Sequence, residues 1–135
     1  MRVAPDQLFE LICTPERLLE WNVSVERAQR LRPDEPVGRG SRARFSGRVL
    51  GQTIASESEV VEFEPPWLFA TRTVSGPSMT TRFRLAPLDH GTEVFVDVEG
   101  RVPGGALAER LAAAFLRGEL RASLDRLRTL AEARA

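Results

Sequence analysis

With 135 residues, 42% of them apolar and 28% charged, the chain has the size and balance of one compact, water-soluble domain over residues 1–135, far from disordered compositions. Nineteen basic residues match nineteen acidic ones, which removes the field a nucleic-acid binder uses, and no apolar run approaches the roughly 18 residues of a membrane span. Every cation is arginine and tyrosine is absent, so lysine Schiff-base chemistry is excluded. The lone Cys13 cannot form an internal disulfide. With the single His90 it supplies too few soft ligands for a structural zinc site, so neither a metal nor another cofactor is expected. Met1–Pro5 lacks the apolar core of a signal peptide, which makes a cytoplasmic location the expectation.

Pro5 suits a first helical position, and Leu8, Phe9, Ile12 and Cys13 recur at helical spacing until Thr14-Pro15 interrupts them. Thr14 then caps a second short helix that carries Leu18, Leu19 and Trp21. From Val25 to Val102 the texture changes to short stretches rich in Val, Phe and Thr between Gly and Pro, which predicts about six antiparallel strands. A turn at Leu50-Gly51 sets Arg44 opposite Glu57 and Arg42 opposite Glu59 on one face. Ala43, Phe45, Gly47 and Val49 then oppose Ile54, Ser56 and Ser58 on the other. Val94, Val96, Val98 and Val102 alternate with Glu93, Asp97, Glu99 and Arg101, so one sheet face is a charge ladder and the other is core. After Pro103-Gly104-Gly105, a long helix is predicted from about Leu107 to Glu132. Its first half is apolar on two sides: Leu107, Leu111, Ala114, Phe115 and Ala122 on one, and Leu116, Leu120, Leu124, Leu127 and Ala131 on nearly the opposite one. The extra stripe must meet the short helices, a ligand or another subunit.

Two short helices, an antiparallel meander and a long C-terminal helix form the order of an α+β helix-grip fold. Four phrases resemble the SRPBCC superfamily of START-like and Bet v 1-like proteins, in its polyketide cyclase/dehydrase branch. They are Ala4–Ile12, Pro15–Asn22, Val60–Pro66 and Gly91–Val94, in the family's order. The resemblance implies a curved sheet gripping the long helix, with a cavity that in relatives holds lipids, sterols, polyketides or other apolar molecules. Relatives usually begin with a strand, whereas only Met1–Ala4 precede the first helix here. That strand is either vestigial or encoded upstream. Its absence would leave Thr92–Val102 an open edge, and this edge together with the second apolar stripe makes a homodimer the expected assembly.

Phe45, Phe83, Leu111 and Phe115 are the expected cavity walls, with Ser56, Ser58 and Arg72 as polar anchors. Trp21 matches the family's Arg-x-x-x-Trp phrase, which implies a place at the cavity mouth; a core aromatic is the competing reading. A turn at Ser75–Ser78 sets Arg72 opposite Thr81 and Ala70 opposite Phe83, pointing Arg72 inward toward Glu62 or a ligand anion; a slip of one residue returns it to the solvent ladder. Glu62 is the candidate acid or base. His90 falls in a hairpin loop and reads as a solvated turn residue, and Cys13 as a buried thiol.

Binding of a small apolar or amphipathic ligand, lipid or polyketide-like, is the leading functional reading. An enzyme of cyclase or dehydratase type, working by enolate stabilisation and proton transfer, is the alternative, and a co-chaperone-like protein-binding module a third. A filled interior favours the module, an open apolar cavity the carrier, and a cavity with converging ionisable groups the enzyme.

Overall fold

The computed structural model describes residues 1–49, 51–101 and 104–134. The expected turn residue Leu50, the expected inward side chain of Val49 and the expected strand residue Val102 lie outside the described residues. Helix α1 (Pro5–Cys13) begins at Pro5, where the missing N–H leaves no bond unmade, and buries Leu8, Phe9, Leu11, Ile12 and Cys13. The second short helix, Pro15–Glu20, is of 3-10 type. Six strands follow: β1 (Val25–Arg30), β2 (Arg42–Val49), β3 (Gln52–Glu64), β4 (Leu68–Ser75), β5 (Met79–Leu88) and β6 (Gly91–Gly100). Each pairs antiparallel with the next in a single sheet. Helix α2 (Gly105–Arg134) closes the described chain. The architecture is the α+β helix grip: a curled six-stranded sheet around a long helix.

The β2–β3 hairpin has the register that charge pairing dictates. Arg42 faces Glu59 and Arg44 faces Glu57, while Phe45 faces Ser56 and Ala43 faces Ser58 on the inner side. The ion pairs are 3.2 Å for Arg42–Glu59 and 3.5 Å for Arg44–Glu57. They lie at the surface, where such pairs set register more than they add stability.

Arg72 requires a correction. It lies opposite Thr80 rather than Thr81, and Phe83 lies opposite Phe69 rather than Ala70. β4 ends at Ser75 and β5 begins at Met79, so Gly76–Ser78 connect them, with Gly76 at a φ of 98° supplying the turn. The pairing is one residue out of step with the expected one, and because side chains alternate such a shift reverses every face. Arg72 therefore stands exposed on the outer side, in one row with Arg42 and Glu59.

Phe63, Phe69 and Phe83 form a row across β3, β4 and β5 on the inner face. Phe9 of α1 packs edge-on against Phe63 at 5.6 Å and Phe69 at 6.2 Å between ring centroids, and Trp21 meets Phe83 edge-on at 6.3 Å. These are favourable aromatic geometries. Leu127 and Ala131 of α2 complete this half of the core.

The edge at β6 is covered at its start. The Met1 amino group donates to the Thr92 carbonyl at 2.7 Å, the Thr92 N–H donates to the Met1 carbonyl at 2.8 Å, and the Thr92 hydroxyl donates to the Val3 carbonyl at 2.8 Å. Gly91 permits this approach, since a Cβ there would lie 2.0 Å from the Met1 carbonyl oxygen. Thr92 is fully buried, so its hydroxyl has no water to fall back on. Thr92→Val keeps the shape and strands the Val3 carbonyl, and urea unfolding should show a loss of about 1–2 kcal/mol; an unchanged midpoint would contradict this role.

Candidate functional site

A cavity of about 800 Å³ lies between the inner face of the sheet and the first half of α2. Phe45, Ser56, Ser58 and Phe83 border it, and so does Trp21. Trp21 is buried, and its indole N–H donates to the Leu11 carbonyl at 2.8 Å. With its only polar group engaged, it is a core aromatic that shows the cavity an apolar ring.

The helical wall differs from the expectation. Leu111 is 59% exposed and Phe115 half-buried, and neither borders the cavity. The wall is made by Ala112, Leu116 and Leu120. The reason lies in which apolar stripe persists: the one through Leu116 and Leu120 continues to the buried Leu127 and Ala131, whereas the one through Leu107, Leu111 and Phe115 runs out into Gly118 and Asp125. A helix held along its length turns inward the stripe that runs that length.

Glu62 requires a second correction. The β3–β4 pairing steps from Val60–Thr71 to Glu62–Ala70, skipping Val61. This bulge turns both Val60 and Phe63 inward and leaves Glu62 on the outer face, ion-paired with Arg82. Neither Glu62 nor Arg72 borders the cavity. His90 sits exposed in the turn between β5 and β6, also apart from it.

Sequence reasoning missed Thr71 and Thr81, which face each other across β4 and β5 and border the cavity together with Ser56 and Ser58. None of these four hydroxyls has a protein hydrogen-bond partner among the described residues. They are free to serve a guest, and the correct register of β4 is the signal that would have found them. Charged side chains also border the cavity, among them Asp97, Arg101, Glu109 and Arg117. Arg30, also on the border, is engaged by Glu16 at 3.0 Å. Burial pushes the Glu16 carboxyl up, but the backbone N–H and guanidinium of Arg30 outweigh it and hold the group below the usual carboxylate range.

The sequence matches the model of the family described as "Polyketide cyclase / dehydrase and lipid transport" over residues 1–132. The chain belongs to this family. Its fold is that of solved SRPBCC structures. The aromatase/cyclase Zhui from Streptomyces sp. R1128 superposes with a TM-score of 0.78 at 19% identity, covering 98% of this chain and 89% of that one. The protein TTHA0849 from Thermus thermophilus gives 0.78 at 17% identity, covering 100% and 94%. A START superfamily protein from Mycobacterium smegmatis gives 0.74 at 18% identity, covering 96% and 93%. No curated protein matches the sequence.

Within this polyketide cyclase/dehydrase fold, Cys13 of α1 also borders the cavity. Burial pushes its thiol pKa up, and the nearby Glu10 carboxylate adds to the shift, so the thiolate is disfavoured. A thiol-specific reagent at mildly alkaline pH should label Cys13 only after denaturation. Rapid labelling of the native protein would show a reactive nucleophile instead.

Proposed function

We propose that this protein binds a small hydrophobic or amphipathic ligand, lipid or polyketide-like, in the cavity between sheet and α2. The observation that carries this reading is the cavity itself: about 800 Å³, within the roughly 300–1,000 Å³ usual for ligand sites. Its walls include Phe45, Phe69, Phe83 and the α2 leucines, with the four hydroxyls along the sheet side. A guest lays its apolar surface against Leu116 and Leu120 and offers oxygen atoms to Ser56, Ser58, Thr71 and Thr81. A protein-binding module would fill its interior with its own side chains, and this one does not. A cyclase needs a converging acid and base; Glu62 and Arg72 stand on the outer face, and of the charged residues that border the cavity Arg30 is engaged by Glu16 and Glu119 by the Ser24 hydroxyl. The ligand reading therefore outranks both others.

Titration with a neutral naphthalene fluorophore tests it. Blue-shifted, saturable emission is expected, and Leu116→Trp, which fills the space, should weaken binding at least about tenfold, or 1.4 kcal/mol. Arg72→Ala should leave binding unchanged. Equal binding by the Leu116→Trp variant would place the fluorophore outside the cavity and overturn the reading.

A further inference from the structure

The stripe of α2 that the cavity does not use has a composition of its own. Leu107 is 70% exposed and Leu111 59% exposed. Ala114, Gly118 and Ala122 continue the same outward line, all exposed, with Phe115 half-buried beside it. Along one flank run Arg110, Arg117 and Arg121, all exposed, at the spacing that sets them on one side of a helix. None of the three forms an ion pair among the described residues. Arg117 also touches the cavity border, as do the two carboxylates of this stretch, Glu109 and Glu119, the latter accepting a hydrogen bond from the Ser24 hydroxyl at 3.2 Å. From Leu107 to Ala122 the outward face thus combines apolar side chains with three cations along one flank, and the first carboxylate on its line is the exposed Asp125 beyond it.

We propose that this face docks on an anionic lipid bilayer. An amphipathic helix with leucines, a phenylalanine and a row of arginines lies in the plane of a membrane interface, its apolar side among the acyl chains and its cations at the headgroups. A second copy of the chain fits less well. The strip from Leu107 to Gly118 is only about 16 Å long and 10 Å wide, far below the roughly 800 Å² per partner of a stable dimer. The same half of α2 is loosely held, since Ala112 is its one buried residue before Ser123, and its opposite side walls the cavity. Docking would bring the cavity's helical wall to the lipid surface, where apolar molecules reside.

Co-sedimentation of the intact protein with vesicles tests this, using phosphatidylcholine alone and phosphatidylcholine with about one third phosphatidylglycerol. The protein should pellet with the anionic vesicles and be released by high salt. Leu107→Glu with Leu111→Glu, both at exposed positions that leave folding intact, should abolish pelleting. Each of Arg110→Gln, Arg117→Gln and Arg121→Gln should lower the partition coefficient about fivefold. No pelleting with anionic vesicles would overturn the proposal, as would pelleting that none of these variants alters. Concentration-dependent dimerisation abolished by the two glutamates would overturn it in favour of a second copy. Fluorophore binding in solution, measured on the same variants, keeps the cavity reading separate, because it needs no membrane.

Discussion

The row of Phe63, Phe69 and Phe83, clamped from one side by Phe9 and Trp21, fixes which face of every strand looks inward. Side chains alternate along a strand, so anchoring one residue of β3, β4 and β5 settles the parity of all the others. With the aromatics inward, the arginines and glutamates of Arg42, Glu59, Arg72 and Arg82 fall outward as a solvated ladder, and Ser56, Ser58, Thr71 and Thr81 fall inward. A slip of one residue would bury the charges and expose the rings, at a cost no domain of this size could bear. The bulge at Val61 serves the same constraint, because it lets Val60 and Phe63 both reach the interior.

The aromatic row closes only one end of the grip. There α2 is pinned, with Leu127 and Ala131 in the core and the Ser123 hydroxyl accepting the Val23 N–H at 3.0 Å. At the other end α2 spans a space it does not fill, because Ala112, Leu116 and Leu120 are too few and too small to reach the sheet. The cavity is the direct result of a long helix held at one end over a strongly curled sheet. Its chemistry follows from the strands beneath, which bring the hydroxyls of Ser56, Ser58, Thr71 and Thr81 to its border. A cavity of this kind favours guests with an apolar body and a few oxygen atoms, and it offers little to a small ion.

Much of this was legible in the sequence. The element order, the first hairpin's register and the location of the apolar face were readable because charge pairing and alternation agree there. Arg72 reads inward in the sequence because loop parity cannot be read from composition: pairing with Thr80 and pairing with Thr81 are equally plausible, and they give opposite faces. Glu62 was misplaced because a bulge leaves no sequence mark beyond two adjacent valines. Leu111 and Phe115 read as cavity walls in the sequence because both α2 stripes are apolar in the first half; only the continuation of one stripe to Leu127 and Ala131 separates them. The contact of Met1 and Val3 with Thr92 was not legible at all, since it depends on backbone groups and on the bare Cα of Gly91.

The proposed role of the space between the sheet and α2 is to hold a guest. Native mass spectrometry of the protein isolated from its own host measures this most directly. A population carrying one small apolar or amphipathic molecule per chain is expected, with loss of that added mass in the Leu116→Trp variant. A bare chain mass for the wild type, persisting after incubation with a total lipid extract of the host, would contradict it.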